Sequence, residues 1–269
     1  MSESDATPAA PTPPGASPRD GRSRRDSVPP GRRRHLLFAL ATAREYAAAF
    51  GPLGAPAAPP PGQAVAWGRG GLDCLLLVTG VGPVAAALTV GRVLGRFEGD
   101  IGGVVNSGIA GGYDLAATPL ASLVAATSEA LPEYGIRTGA GTDSAGLAFP
   151  QLCPAGAPVF DRLPLDPAAA VAAMGLAPPP GVIPGPAVTV AGVSGDPDRA
   201  AILCRKYRAR SESMEGFAVA LAAAAAGLPF LELRAISNRV GCRPPEAWDL
   251  PGALAALGRA VAGLFPKRG

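Results

Sequence analysis

One stretch of the sequence restricts the fold more than any other. Residues 74–79 and 101–106 are short uncharged runs typical of buried strands, and residues 83–97 between them are Ala- and Leu-rich like a helix. A strand, a helix and a strand in this order form the crossover that joins two parallel strands of one sheet. The chain is therefore predicted to be an α/β protein.

The rest of the chain continues this alternation of strand and helix patterns. Short apolar runs predict further strands, and Ala-rich segments predict further helices. The additional strands are expected at residues 35–41, 64–67, 120–127, 187–193 and 228–237, and the additional helices at residues 43–50, 212–226 and 246–265. The expected fold class is a single-domain three-layer sandwich, in which helices flank a central mixed, largely parallel sheet.

The N-terminal segment differs in composition from the rest. Residues 1–34 contain seven Arg and four acidic residues, so their net charge of +3 equals that of the whole chain. A basic segment can contact nucleic acid or an anionic surface, but a Pro-rich segment without aromatic residues favours a solvated tail. We therefore expect a disordered tail at residues 1–34, a catalytic domain at residues 35–269 and no nucleic-acid partner.

Composition also argues against several classes of function. No uncharged apolar run reaches the roughly 18 to 20 residues that span a bilayer, and residues 1–34 have no apolar core of a secretory signal. A cytoplasmic protein without a membrane partner is therefore expected. His35 is the only histidine, and the four cysteines include no C-x-x-C pair. Neither a metal site nor a histidine-based nucleophile mechanism is expected, so acid–base chemistry is left to carboxylates or amides without a cofactor.

Three motifs contain the polar residues that could form a site. They are Asn106-Ser-Gly-Ile-Ala-Gly-Gly112, Glu212-Ser-Met-Glu-Gly216 and Arg234-Ala-Ile-Ser-Asn238. In this order and spacing they resemble the purine nucleoside phosphorylase/uridine phosphorylase superfamily, a resemblance that covers about residues 35–265. Together with the following Trp248 and Asp249, they are most similar to the futalosine hydrolases of menaquinone biosynthesis, in the nucleosidase branch.

The resemblance implies roles for single residues. Glu215, expected on the inward face of a helix near its N-terminus, would hold the ribose hydroxyls and stabilise oxocarbenium charge, unless it is a plain helix N-terminal acid. Glu45 would take a proton from the attacking water, unless it is an exposed acid paired with Arg44. Arg234 would help to orient the nucleophile, unless it forms a surface ion pair. The other substrate-binding residues implied are Ile109, Gly111, Ser213, Met214 and Ser237.

Asn238 departs from the adenine-specific nucleosidases of the superfamily, which carry Asp at this position. An amide cannot supply a titrating proton to N7 of the leaving base. It can donate an N–H to N7 or O6 and accept from N1–H, which suits a 6-oxopurine such as hypoxanthine. Ser237 is expected to orient the amide, and the alternative is that Asn238 is a turn residue after a strand.

The nucleophile is indicated by what stands at the phosphate-binding positions. Superfamily phosphorylases carry a Gly-Asp-Pro-x-Arg loop after the first strand and an Arg before the central glycines, but here these places hold Thr-Ala-Arg-Glu45 and Asn106. Residues 195–199 have a sequence similar to this Gly-Asp-Pro-x-Arg loop, but they follow a much later strand. The favoured interpretation there is a turn that caps a helix. Water is the expected nucleophile.

The resemblance therefore implies hydrolysis of futalosine to hypoxanthine and dehypoxanthinylfutalosine by a homo-oligomer. The alternatives are another purine nucleosidase of the methylthioadenosine/S-adenosylhomocysteine type, a phosphorylase, and a non-catalytic nucleoside-binding protein. Phe149, Phe160 and Phe217 are candidates for stacking on the purine. The Gly- and Pro-rich residues 131–186 are expected to contain the loops that select the 5′ substituent.

Overall fold

The structure is a computed structural model that describes residues 34–138, 141–242, 244 and 247–266. The tail expected at residues 1–34 lies outside the described residues, apart from Arg34. The helices and strands, in chain order, are β1 (His35–Leu40), α1 (Ala43–Phe50), β2 (Ala64–Arg69), β3 (Leu72–Val78), α2 (Pro83–Arg96), β4 (Ile101–Gly112), β5 (Leu123–Ala130), β6 (Ile136–Thr138), β7 (Gly141–Asp143), β8 (Arg162–Pro164), α3 (Pro167–Ala173), β9 (Val182–Thr189), α4 (Pro197–Tyr207), β10 (Ser211–Ser213), α5 (Gly216–Ala225), β11 (Phe230–Arg239) and α6 (Leu250–Leu264).

The main sheet has the strand order β10-β9-β5-β11-β4-β1-β3-β2, with β8 beside β5. Its centre is parallel, since β1 pairs with β3 and β4, and β4 pairs with β11. The pairs β2–β3, β5–β11 and β5–β8 are antiparallel. β10 pairs with β9 and also with β4, so β4, β11, β5, β9 and β10 form a closed ring. The predicted mixed, largely parallel sheet is confirmed.

Helices cover both faces of the parallel strands. In β1, Leu36, Phe38 and Leu40 pack in one apolar cluster with residues of α1 and α6, whereas Leu37 and Ala39 pack in a second cluster with residues of α2 and α5. Successive side chains of a strand point to opposite faces, so a strand buried on both faces is apolar throughout. The predicted three-layer α/β architecture is confirmed.

The strand expected at residues 101–106 is longer in the structure, because β4 continues through the glycine-dense residues 107–112 to Gly112. They are held in the sheet on both sides, by β11 along their length and by β10 at Gly111 and Gly112. Glycine weakens an isolated strand, but in this segment pairing with two neighbours outweighs that preference.

The helix predicted at residues 212–226 is wrong in its first turn. Ser211–Ser213 form β10, and α5 begins only at Gly216. The reason is long-range pairing with β9 and β4, which local helix preference does not reveal. The closing helix is α6, and Glu246, where the sequence predicts its start, lies outside the described residues. In the part of the chain that the structure describes, no helix is long and apolar enough to cross a lipid bilayer.

Candidate active site

A cavity of about 360 Å³ opens near the ends of β1 and β11, beside the last residues of β4 and the start of α5. Arg234 is the one predicted site residue that does not line this cavity; it is buried, and its Nη1 lies 3.7 Å from Oε2 of the lining residue Glu215. The predicted residues that do line it are Glu45, Ile109, Gly111, Ser213, Met214, Glu215, Ser237 and Asn238. The fold thus brings together residues from all three sequence motifs and from α1.

Glu45 is fixed by a capping box at the start of α1. The Thr42 backbone N–H and hydroxyl donate to Glu45 Oε2 at 3.0 and 2.8 Å, and the Glu45 N–H donates to Thr42 Oγ at 3.2 Å. The Ile109 N–H donates to Glu45 Oε1 at 3.0 Å. Glu45 is only 5% exposed, so the alternative of an exposed acid paired with Arg44 is wrong.

A glycine lets the Glu45 carboxylate approach β4. A Cβ at Gly108 would lie 2.6 Å from Glu45 Oε1 and 2.7 Å from Arg234 Nη1, closer than real Cβ contacts allow. Glu45 and Arg234 therefore meet over the backbone of Gly108. Any larger residue at this position would displace at least one of them.

Glu215 precedes α5 rather than lying inside it, which corrects the position expected from the sequence. Its side chain makes no hydrogen bond to the N–H groups of that helix. Instead, the Gly82 N–H donates to Glu215 Oε1 at 2.9 Å, and Arg234 Nη1 lies 3.7 Å from Glu215 Oε2. Burial raises the pKa of the Glu215 carboxyl, and Arg234 and the Gly82 N–H offset part of this rise.

Arg234 is the cation of a buried polar network. Its Nε donates to Glu232 Oε1 at 2.8 Å, and its Nη2 donates to Asn106 Oδ1. Asn106 in turn donates to the Ala39 carbonyl at 2.9 Å. Burial alone would lower the pKa of Arg234, but Glu232 and Glu215 raise it above the usual value. Arg234 is therefore a permanent buried cation, and the alternative of a surface ion pair is wrong.

Asn238 lies at a register shift near the end of β11. Ser237 Oγ lies 2.9 Å from Asn238 Oδ1 and 3.2 Å from the Ala110 carbonyl, and its single proton can be donated to one of them at a time. Asn238 Nδ2 donates to the Arg239 carbonyl at 2.9 Å. An amide nitrogen carries two N–H groups, so one N–H remains for a ligand in the cavity.

Glu212 is a lining residue to which the sequence reading assigns no role. Its Oε1 accepts from the Ser194 N–H at 2.8 Å, and its Oε2 accepts from the Ser194 hydroxyl at 2.6 Å and the Tyr113 hydroxyl at 2.9 Å. Burial, and next the Glu212 charge, raise the pKa of Tyr113. These contacts join residues from three distant segments, so no local sequence signal could have found them.

The turn at residues 195–199 caps a helix, as expected. Asp196 accepts a hydrogen bond from the Arg199 N–H at 2.8 Å and begins α4, while the Arg199 side chain pairs with Glu133 at 2.8 Å. Arg199 does not line the cavity. This segment is therefore not placed to bind a phosphate in the cavity.

The aromatic residue that lines the cavity is not one of the three phenylalanines expected to stack on the purine. Phe149 is 72% exposed, Phe217 belongs to the apolar cluster beneath α2 and α5, and neither they nor Phe160 line the cavity. Among the described lining residues, Trp248 is the aromatic one. No described residue between positions 131 and 186 lines the cavity, whereas Val81, Val193, Leu250 and Leu254 do.

Comparison with known proteins gives first the class and then the family. The family model described as the phosphorylase superfamily matches residues 48–262. The futalosine hydrolase of Streptomyces coelicolor is 39% identical over 195 residues, which cover 71% of this chain and 78% of that protein. The futalosine hydrolase of Thermus thermophilus is 34% identical over 207 residues, covering 76% of this chain and 87% of that protein.

A solved structure agrees with the fold. The 5′-methylthioadenosine/S-adenosylhomocysteine nucleosidase from Neisseria meningitidis, in complex with methylthio-immucillin-A, has a TM-score of 0.65 and 20% identity, covering 86% of this chain and 97% of that chain. The chain belongs to the phosphorylase superfamily and, within it, to the futalosine hydrolase family.

Proposed function

We propose that this protein hydrolyses the N-glycosidic bond of futalosine, releasing hypoxanthine and dehypoxanthinylfutalosine. Membership of the futalosine hydrolase family supports the substrate. The charge of the cavity supports hydrolysis, since three buried carboxyl groups line it, those of Glu45, Glu212 and Glu215. The exposed Arg44 is the only cation among its described lining residues. Such a cavity repels a phosphate nucleophile, whereas a carboxylate can activate water.

Glu45 is the proposed general base. Thr42 and Ile109 hold its carboxylate in place before substrate binds, which lowers the cost of orienting it. As the water oxygen bonds to C1′ of the ribose, the C1′–N9 bond breaks and Glu45 takes one water proton. The bonding electrons leave with the base, which gains a proton through solvent, so the hydroxyl group ends on C1′ and the hydrogen on hypoxanthine.

Glu215 is the proposed ribose ligand. Its carboxylate is buried, and among the described residues one N–H group, that of Gly82, donates to it besides its ion pair with Arg234. The remaining lone pairs can accept the ribose 2′- and 3′-hydroxyls, with Met214 packing against the sugar. Positive charge develops on the ribose only as the glycosidic bond breaks. A fixed carboxylate therefore stabilises the transition state more than the ground state.

Arg234 is proposed to act through Glu215 rather than on the nucleophile directly. It is buried behind the cavity wall, and its three guanidinium nitrogens, Nε, Nη2 and Nη1, face Glu232, Asn106 and Glu215 respectively. It therefore serves as a positioning residue for Glu215.

The base-binding end of the cavity is proposed to recognise a 6-oxopurine. Asn238 has one N–H free to donate to N7 or O6, because the other is directed to the Arg239 carbonyl. With Ser237 donating to its Oδ1, the amide is held in that orientation. Ile109, Gly111 and Ser213 complete the wall at this end of the sheet.

The experiment that tests the function measures free base released from futalosine, inosine and methylthioadenosine, each with and without phosphate. The expected result is release of hypoxanthine from futalosine, independent of phosphate. Phosphate-dependent release from inosine would make the protein a phosphorylase, and preferential cleavage of methylthioadenosine would make it a nucleosidase of that type. Nucleoside binding without any release would leave a binding protein.

A Glu45→Gln variant separates catalysis from binding. Gln keeps the size of the side chain, and its single amide oxygen can accept from either Thr42 or Ile109 but not from both, whereas it cannot take a proton. Removal of a general base lowers kcat by about 10² to 10⁴. We expect that loss with futalosine affinity retained in equilibrium binding. Unchanged kcat in this variant would refute the proposed role of Glu45.

We further propose that the protein is a cytoplasmic homo-oligomer in menaquinone biosynthesis, with residues 35–269 as its catalytic domain. Exposed apolar residues on and beside α2 support association: Val81, Val84 and Leu88 are 58%, 81% and 61% exposed. Light scattering of the purified protein and of a Val84→Glu variant tests this, since the variant should dissociate. A chain lacking residues 1–34 should retain full activity.

A further inference from the structure

Two carboxyl groups lie behind the cavity and have no part in the proposed reaction. Glu129 on β5 and Glu232 on β11 are 0% and 1% exposed. One oxygen of each has a donor: Thr189 Oγ donates to Glu129 Oε2 at 2.8 Å, and Arg234 Nε donates to Glu232 Oε1 at 2.8 Å. For the other two oxygens, Glu129 Oε1 and Glu232 Oε2, no donor is present among the described residues if both groups are ionised.

These two oxygens belong to groups that touch each other. The Glu129 and Glu232 side chains reach the same point beside Gly216. A Cβ at Gly216 would lie 2.3 Å from Glu129 Oε1 and 2.7 Å from Glu232 Oε2, so both oxygens fill the space that glycine leaves open. Two carboxylates without a proton cannot hydrogen-bond, because each is only an acceptor. One proton between them satisfies both orphaned oxygens.

The surroundings decide which carboxyl group carries the proton. Glu232 accepts from the guanidinium of Arg234, which favours its ionised form. In the part of the chain that the structure describes, the donor to Glu129 is the neutral hydroxyl of Thr189. Among the described residues, the cation that acts on Glu129 is Arg234, and Glu215 also shares it. The charge of Arg234 is thus already balanced without Glu129.

We propose that Glu129 is a neutral carboxylic acid that donates its proton to Glu232 Oε2, and that this acid–carboxylate pair positions Glu215 for ribose binding. The proposal rests on the role of Glu215 in the proposed function. Glu129 and Glu232 touch no substrate in this arrangement and are positioning residues.

Two chains of polar contacts lead from Glu129 toward Glu215. In the first, Glu232 holds Arg234, whose Nη1 faces Glu215 Oε2 at 3.7 Å. In the second, Thr189 Oγ accepts from the Phe217 N–H at 2.7 Å, which fixes the first turn of α5 directly after Glu215. Ionisation of Glu129 would disturb the first chain, because a third carboxylate would then compete for Arg234.

The electrostatic surroundings support a neutral Glu129. Burial raises its pKa well above the usual value, and the Glu232 charge and the hydrogen bond to Glu232 raise it further. The Thr189 hydrogen bond and Arg234 act in the opposite direction without reversing the rise. The remaining charges that face this network are Glu215, at the start of α5, and Glu45, on α1.

The test compares Glu129→Gln with Glu232→Gln, with the exposed Glu98→Gln as the control. Gln at position 129 can accept from Thr189 and donate to Glu232, so kcat for futalosine should stay near the wild-type value. Gln at position 232 removes the carboxylate that holds Arg234, so kcat should fall by roughly tenfold, or about 1.4 kcal/mol of activation free energy. Equal losses in the two variants, or a larger loss in Glu129→Gln, would overturn the proposal.

Two further readouts separate this proposal from a simple structural role. The wild type should lose activity at alkaline pH as Glu129 ionises, and Glu129→Gln should lack that loss. Infrared spectra of the substrate-free protein at neutral pH should show a carboxylic-acid carbonyl band that Glu129→Gln lacks and Glu98→Gln keeps. Absence of this band in the wild type would refute the shared proton. This measurement uses no substrate, so its outcome is independent of whether futalosine is cleaved.

Discussion

The proton shared by Glu129 and Glu232 should make the stability of the folded protein depend on pH. In the unfolded chain Glu129 ionises near pH 4.3, whereas in the folded protein burial and Glu232 raise its pKa well above that value. A raised pKa means that the folded state holds the proton more tightly. The stability contributed by this proton is fully present below the unfolded pKa and is lost as pH rises toward the folded pKa.

The size of the effect follows from one proton. Where the folded state keeps the proton and the unfolded state has lost it, the free energy of unfolding falls by about 1.4 kcal/mol for each pH unit. From about pH 5.5 upward, for as long as the folded state keeps the proton, the wild type should lose stability at this slope because of this group. Glu129→Gln has no such proton. Its stability relative to the wild type should therefore rise at the same slope over the same range.

Urea unfolding at fixed protein concentration measures this difference. Wild type, Glu129→Gln and the control Glu98→Gln are unfolded at several pH values between about 5.5 and 7.5, and the free energies in water are compared. All other titrating groups are shared, so they cancel in the difference between each variant and the wild type. A difference for Glu129→Gln that stays flat with pH would show that Glu129 is ionised in the folded protein and would refute the reasoning.

Three further perturbations test other parts of the site. Burial raises the pKa of Glu215, so activity should fall as the pH drops through a value above the usual pKa of about 4.3. Glu215→Gln should be slower, and its plot of kcat/KM against pH should lack this fall at acid pH. The same fall in the variant would show that another group causes it. Gly216→Ala places a Cβ 2.3 Å from oxygens of Glu129 and Glu232, so chemical denaturation should show a loss of at least about 1–3 kcal/mol, and wild-type stability would contradict the close approach. Asn238→Asp puts a carboxylate beside O6, so the kcat/KM ratio of futalosine to its 6-amino analogue should fall by about 10² or more, and an unchanged ratio would remove Asn238 from base selection.

The parts of the fold that follow from local pattern could be predicted well. β1, α1, β3 and α2 lie within two residues of their expected limits, since apolar runs and helix composition are contiguous in the sequence. The start of α5 could not be predicted in this way. Residues 212–213 have a local helix preference, but pairing with β9 and β4 makes them a strand.

The same difference between local and long-range signals decides which residues of the candidate site could be predicted. Glu45, Glu215 and Asn238 were found because each lies in a motif or at a strand end that the family resemblance makes recognisable. Thr42 could have been found from its spacing to Glu45, which is that of a capping box. Glu129 gives no such signal, because its partners lie on β9 and β11 and only the closed ring of strands brings them together.

The arrangement of charge explains why one Arg can serve several carboxyl groups. Arg234 is in direct contact with Glu232 on one side and faces Glu215 on the other, so it neutralises the carboxylate farthest from the cavity and only partly screens the one that lines it. With Glu129 neutral, excess negative charge remains on carboxylates that line the cavity, and two of them, Glu215 and Glu45, lie beside the proposed ribose position. A positive charge that develops on the ribose is then stabilised by both, and an anionic nucleophile is disfavoured by both. Loss of the Glu129 proton would instead add a carboxylate that competes for Arg234 and would weaken its ion pair with Glu215.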